Sequence, residues 1–246
     1  MIRNDSIQLY TVEIEYNNIT NLLMQPNGKI IIGIRHSLTG ITANGTIDST
    51  FGVNGKAPLP FEACHTAVLQ PNGKMIFLGR NTDGAYWPNP YYFSMYRYNT
   101  NGSLDTSFKN GKYIPYITDQ GIEWFYGDLM VEPSGNIMLG FGYVNSIASV
   151  LRFKPNGVLD SSYGKRGIVN VQNNYPRNHI SLTTTSQQAD GKIVLGIYDT
   201  ASTYLMRIEK NALVYYNSVV SKVFYDLNRN GVQDVNETPV DRKSVV

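Results

Sequence analysis

The sequence predicts an all-β protein: four-stranded antiparallel blades of a β-propeller, as a small ring or an open arc, followed by the start of a β-sandwich. Three observations predict it. Four times an apolar run breaks at a turn of the Pro-Asn-Gly-Lys type and resumes as another apolar run. A second motif, with an Asn-Gly turn and an apolar-Asp pair, interleaves with the first at the same period. No segment carries a 3.6-residue apolar stripe longer than about ten residues, so helix is expected to be scarce. Self-similarity on this scale is the mark of a repeat architecture.

The first motif reads LMQPNGKIIIG (Leu23 to Gly33), VLQPNGKMIFLG (Val68 to Gly79), MVEPSGNIMLG (Met130 to Gly140) and QQADGKIVLG (Gln187 to Gly196). Its turn glycines, Gly28, Gly73, Gly135 and Gly191, are 45, 62 and 56 residues apart. The second motif reads ANGTIDSTFGVNG (Ala43 to Gly55), TNGSLDTSFKNG (Thr100 to Gly111) and PNGVLDSSYGKRG (Pro155 to Gly167). Its glycines, Gly45, Gly102 and Gly157, are 57 and 55 residues apart. A fourth copy belongs near Asn211, but IEKNALVYYNS has lost the Gly and the Asp. Terminal repeats are often atypical because they cap the stack.

Each unit reads as four short strands. Pro presets φ, Asn tolerates a bridging conformation and Gly takes the left-handed one, so the first motif is a hairpin. A third strand ends in a basic-apolar pair before the Asn-Gly turn, as in MYRYNTNG and VLRFKPNG. The fourth strand is expected to leave through the apolar-Asp-x-Ser-aromatic segment. The recurrent Asp48, Asp105 and Asp160 are expected to be structural, accepting backbone N–H bonds in that turn. Four antiparallel strands in a unit of this length match a propeller blade.

These motifs, from about Asn21 to Asn217, resemble the delta-sixty repeat family of β-propeller repeats in large bacterial surface and secreted proteins. The resemblance implies architecture and an extracellular setting, and no particular activity. Unit two departs from the pattern with an insertion, NTDGAYWPNPYYFS (Asn81 to Ser94). Its Tyr86, Trp87, Tyr91 and Tyr92 form an aromatic cluster suited to stacking on a sugar ring, or to packing against a neighbouring blade.

After the array, KVFYDLNRNGVQDVNETPV (Lys222 to Val240) spaces oxygen donors at Asp226, Asn228, Asn230, Asp234 and Glu237. Gly231 falls at the sixth loop position and the Val232 carbonyl at the seventh, which is the twelve-residue EF-hand spacing for Ca²⁺. The donors are all hard oxygens, so Ca²⁺ is the expected ion. A strand-like VFY precedes the loop and Pro239 follows it, so no helices flank it. That combination resembles the calcium-binding B-type repeats of serine-aspartate-repeat surface adhesins. The resulting domain expectation is a propeller-like array over 1–220 and, over 221–246, an N-terminal fragment of an adhesin-like calcium-binding β-sandwich.

Composition narrows the function classes. Charged residues are 16% of the chain and its net charge is +2, which is no electrostatic footprint for nucleic acid or an anionic membrane. Cys64 is the only cysteine, so no intrachain disulfide forms, and it reads as a small buried hydrophobe. No apolar run is long enough to span a bilayer, and the first residues lack a signal-peptide core. Either the protein is cytoplasmic or the sequence starts inside a longer one; the adhesin-like calcium loop argues for the second, so the chain is expected to be a monomeric part of a larger multidomain protein, secreted or at the cell surface. A glycan or a surface protein is the expected partner.

No catalytic motif stands out, and the chain is expected not to be an enzyme. The alternative is a propeller lyase or lactonase acting on a carbohydrate or lactone. Its residues would come from segments before each first strand: Glu13, Glu15, Glu62, His65, Glu123, Asp128, Arg177 and His179. His36 follows a strand and shows no evident partner in the sequence.

Overall fold

The computed structural model describes residues 19–34, 36–61, 63–81, 92–109, 126–142, 147–172, 181–198 and 203–208. Among these residues there is no helix. They form four antiparallel meanders, one per sequence unit. The first sheet runs β1 (Ile19–Met24), β2 (Ile30–Ile34), β3 (Ser37–Ile41), β4 (Lys56–Pro58). The second runs β5 (Ala63–Leu69), β6 (Met75–Asn81), β7 (Tyr92–Tyr98). The third is β8 (Tyr126–Val131), β9 (Ile137–Gly142), β10 (Ile147–Phe153), β11 (Ile168–Gln172). The fourth is β12 (Ser181–Gln187), β13 (Ile193–Tyr198), β14 (Thr203–Ile208). The blade architecture is as the sequence predicts.

Both motifs close with one hydrogen-bond pattern. Gly28 N–H donates to the Gln25 carbonyl at 2.9 Å, and Gln25 N–H donates to the Lys29 carbonyl at 2.8 Å. The Asn-Gly turns repeat it, with Gly102 N–H on the Asn99 carbonyl at 2.9 Å and Asn99 N–H on the Ser103 carbonyl at 2.9 Å. The glycines are left-handed, with φ of 81° at Gly28 and 83° at Gly102. This is the three-residue hairpin loop, a turn completed by a left-handed glycine bulge.

One element lies elsewhere than expected. The apolar-Asp-x-Ser-aromatic segment is a compact turn, and the last strand begins after the closing glycine, at Lys56 and Ile168. The reason is local: Asp48, Asp105 and Asp160 accept from the backbone N–H two residues on, at 3.1, 3.0 and 3.3 Å. Such side-chain-to-backbone bonds hold the segment out of the ladder. The structural role expected of these carboxylates is borne out.

Successive sheets stack through their first strands, β1 against β5, β5 against β8 and β8 against β12. Strand alternation then sends one side chain to each neighbour. Met75 and Phe77 of β6 face the first sheet, while Ile76 and Leu78 face the third. On β9, Ile137, Leu139 and Phe141 face the second sheet and Met138 the fourth. A middle strand buried on both faces is therefore apolar throughout, which is why these runs read IIIG, MIFLG and IMLG. Each fully buried side chain of this size stabilises the fold by about 1.5–3 kcal/mol.

Candidate functional site

Of the residues singled out for chemistry, most lie outside the described residues. These are Glu13, Glu15, Glu62, Tyr86, Trp87, Tyr91, Glu123, Arg177 and His179. The whole calcium loop, Asp226, Asn228, Asn230, Val232, Asp234 and Glu237, lies there too. Tyr92 opens β7. His65 falls at the bulge between Cys64 and Thr66 of β5, is exposed, and has its ring 5.4 Å from that of Phe93. Bulges re-aim a side chain, and here the bulge sets an imidazole at the surface of a first strand.

Asp128 is committed to structure. Its Oδ2 accepts from Thr185 N–H at 2.8 Å and Thr185 Oγ1 at 3.1 Å, so it clips β8 to β12. The reading of His36 as partnerless is corrected: its Nδ1 lies 2.6 Å from the Phe61 carbonyl oxygen. Cys64 is buried as expected, and burial pushes its thiol up to about 12 despite a 3.1 Å hydrogen bond from Asn21 Nδ2. It is a poor nucleophile.

The densest concentration of charge in the described residues is at the turn end of the blades, where the two motifs meet. Lys29, the last residue of the first turn, reaches Asp48 of the second motif at 2.6 Å. Lys74 reaches Asp105 at the same 2.6 Å. Unit three has Asn136 in place of this lysine, and Asp160 takes Arg152 instead at 3.5 Å. Lys192, in the unit whose second motif is degraded, pairs with the adjacent Asp190 at 3.2 Å. In units one and two each motif thus supplies half of an ion pair.

Arginine and glutamine extend this pair across the joint. In unit two Arg97 Nε donates to Asp105 at 2.8 Å, and Nη1 donates to Gln70 Oε1 at 3.2 Å and to the Pro155 carbonyl of unit three at 2.5 Å. Gln70 Nε2 also reaches the Pro155 carbonyl, at 3.4 Å. The guanidinium stacks 4.7 Å from the centre of the Phe108 ring. In unit three Glu132 replaces the glutamine and Arg152 Nη2 donates to it at 2.7 Å.

These contacts set the carboxyl acidities. The Lys29 and Thr50 hydrogen bonds hold Asp48 below the usual carboxylate range. Burial alone would raise Asp105, but hydrogen bonds from Lys74 and Ser107 and the Arg97 charge hold it well below that range. The Ser162 hydrogen bond and the Arg152 charge lower Asp160. Carboxylates this acidic stay ionised near neutral pH and are poor general acids. Chemically, the arrangement holds blades together.

Sequence reasoning found the aspartates and missed their partners Lys29, Lys74, Arg97 and Arg152, and with them the Gln70 and Glu132 that the arginines reach. The signal was present: a lysine closes the first turn and an arginine ends the third strand wherever the second motif is intact, except where Asn136 and Gly40 intervene.

A family model described as "Domain of unknown function (DUF5122) beta-propeller" matches residues 70–108. That stretch runs from the buried Gln70 to Phe108, one β-propeller repeat from turn to ring. No curated protein matches the chain. Among solved structures, a protein of unknown function from Bacteroides caccae is similar at 13% identity and a TM-score of 0.44, covering 80% of this chain and 59% of that one. A candidate gluconolactonase is similar at 14% identity and a TM-score of 0.42, covering 77% and 59%. A gluconolactonase from Xanthomonas campestris is similar at 10% identity and a TM-score of 0.27, covering 71% and 67%. The chain thus spans about three fifths of the length of the first two.

Proposed function

We propose that the chain is a non-enzymatic interaction module of a secreted or cell-surface protein, a repeat scaffold joined to a structural calcium loop. The observation that carries this reading is the fate of the recurrent charges. Asp48, Asp105, Asp160 and Glu132 each accept hydrogen bonds that fasten turns or blades, which is scaffold work. Binding falls to what varies between units, and the aromatic insertion of unit two is the largest variation. Insertions in repeat proteins map to loops on one face, often the binding face. Tyr86, Trp87, Tyr91 and Tyr92 offer stacking surface for a glycan.

The calcium loop supports the same setting. Its donors are carboxylates, side-chain amides and one carbonyl, a set that suits Ca²⁺ and rejects softer ions. Asp226, Asn228, Asn230, Asp234, Glu237 and the Val232 carbonyl would hold the ion and stiffen the passage into residues 221–246. Extracellular sites of this type bind at about 10⁻⁴–10⁻³ M and fill at millimolar calcium.

Two experiments test the reading. A glycan array is expected to give signal that drops for Trp87→Ala; no signal with any glycan removes the sugar-binding part. Titration calorimetry is expected to show calcium heat that is lost in Asp226→Ala with Glu237→Ala. The lyase or lactonase reading rests on the exposed His65 at its bulge. Turnover of a lactone or glycan that disappears in His65→Ala would put that reading in place of ours.

A further inference from the structure

Asn-Gly pairs close many turns of this chain, and six of them lie among the described residues, at Asn27, Asn44, Asn54, Asn72, Asn101 and Asn156. An asparagine before a glycine carries a reaction of its own. The glycine nitrogen, with no Cβ beside it, can attack the asparagine Cγ. The N–Cγ bond forms, the Cγ–Nδ2 bond breaks, and Nδ2 leaves as ammonia with the amide proton. Water then opens the cyclic imide at either carbonyl, giving aspartate or isoaspartate, whose backbone is one methylene longer. The reaction needs a carboxamide free to turn and a glycine N–H free to lose its proton. Hydrogen bonds to either group suppress it.

Five of the six are pinned at both groups. Oδ1 of Asn27, Asn72, Asn101 and Asn156 accepts from the backbone N–H two residues on, at 3.1, 3.0, 3.1 and 3.2 Å. Asn44 Oδ1 accepts instead from the hydroxyls of Thr42 and Thr46. The glycine N–H that follows each is held on a carbonyl at 2.9 or 3.0 Å, at Gly28, Gly45, Gly73, Gly102 and Gly157. Asn54 differs. With Gly55 it forms a two-residue loop at φ of 52° and 86°, the left-handed pair of a type I′ turn. Val53 and Lys56 close the loop with N–H to carbonyl bonds of 2.7 and 3.1 Å. Among the described residues neither the Asn54 carboxamide nor the Gly55 N–H has a partner. Asn54 is exposed, and the loop leads into β4, an edge strand of three residues. Such a corner opens more readily than a turn tied into a joint.

We propose that Asn54 is a site of spontaneous deamidation and that its isoaspartyl product releases the outer edge of unit one. Gly55 couples the two events. Its carbonyl accepts from Gly40 N–H at 3.0 Å, so the loop is bonded to β3. A Cβ on Gly55 would lie 2.4 Å from Ile47 Cγ2 and 3.3 Å from the Asp48 carbonyl oxygen, so an added methylene has no room beside it. The longer backbone therefore displaces Gly55 from Gly40 and draws β4 away from β3, which it pairs with only at Ser37, Leu38 and Thr39. Unit three carries Arg166-Gly167 in the corresponding loop, at φ of 56° and 94°, so that blade has no reacting carboxamide there. Water is the only co-reactant, and the change runs one way.

Peptide mapping of the folded chain, aged at mildly alkaline pH, measures conversion at each asparagine. Asn54 is expected to convert at least about tenfold faster than any of the other five, which must first break bonds that Asn54 lacks. In concentrated urea the six rates are expected to converge. Amide exchange at Gly40 is expected to speed up with age in the parent. It is expected to stay constant in Asn54→Arg, which copies the unit-three loop and removes the reacting group. Fresh Asn54→Asp carries the new charge without the extra methylene and is expected to exchange at Gly40 as the fresh parent does. The proposal is overturned if Asn54 converts no faster than the pinned asparagines. It is equally overturned if the same spread of rates persists in urea, since sequence and not structure would then set them. Gly40 exchange that does not change with age, that changes as much in Asn54→Arg, or that is already fast in fresh Asn54→Asp overturns the release of the edge.

Discussion

Gly40 shows how far one residue governs its surroundings. It occupies the position of Arg97 and Arg152, since each of the three carbonyls accepts from the aspartate N–H of its unit at 2.8 Å. With no guanidinium there, Phe51 moves onto the glycine, 2.5 Å from where a Cβ would be. Gln25 Oε1, the counterpart of the Gln70 oxygen that Arg97 satisfies, is left buried without a donor. Among the described residues Asp48 therefore has Lys29 alone as its cation, whereas Asp105 holds both Lys74 and Arg97. The two lysines are equally exposed, at 33% and 31%, so a difference between their variants reports the arginine. Lys29→Met is expected to cost about 2–3 kcal/mol, leaving a buried carboxylate without its charged partner. Lys74→Met is expected to cost about 1 kcal/mol. Urea midpoints at constant m-value measure both, and equal losses would remove the backing role of Arg97.

At the scale of elements, the ring of one unit lying on the Asn-Gly turn of the next, Phe51 on Gly102 and Phe108 on Gly157, explains why that turn needs its glycine twice over. Gly157 has φ 85°, and a Cβ there would also meet the Phe108 ring at 2.8 Å. Gly135 has φ 84°, but a Cβ there would meet only Pro155, at an ordinary 3.4 Å. Gly135→Ala is expected to cost about 1–2 kcal/mol from backbone strain alone. Gly157→Ala is expected to cost roughly 1–2 kcal/mol more, because the ring must move. Phe108→Ala empties a packed joint and is expected to cost about 3–5 kcal/mol. In the double variant the steric part of the Gly157→Ala loss vanishes, so its loss falls short of the sum of the two single losses by about 1–2 kcal/mol. Thermal or urea unfolding of the four variants measures the cycle, and strict additivity would mean that ring and glycine do not meet in solution. The sequence displayed both partners, the recurrent aromatic and the recurrent glycine. It did not display their pairing, because Phe108 meets the glycine of the following unit while periodicity aligns residues within units. The misplaced fourth strand has a related cause: the apolar residue before and the aromatic after Asp48, Asp105 and Asp160 read as a strand until the side-chain-to-backbone bonds of the aspartates are counted.

For the whole molecule, what was legible divides by the range of the interaction. Hairpin turns and strand alternation are written in adjacent residues and could be read directly. The network of Arg97, Gln70 and Pro155, or the clip from Asp128 to Thr185, joins residues from different units and needed coordinates. Because that network recurs from joint to joint, the array should respond to acid as a set. Asp48, Asp105 and Asp160 all have carboxyls lowered in the folded state, Asp105 furthest. A carboxyl depressed on folding adds stability that is complete above its unfolded pKa, about 3.9 for Asp, and is lost as pH falls towards the folded value. Stability is therefore expected to hold level from about pH 8 to 5 and to fall steeply below about pH 4. Asp105→Asn removes the group with the largest depression, so it should be less stable than the parent at neutral pH and lose less on acidification. Urea unfolding at a series of pH values measures the two curves. Parallel curves would show that the Asp105 pair does not carry the acid sensitivity, and the joint between units two and three would have to be held by packing alone.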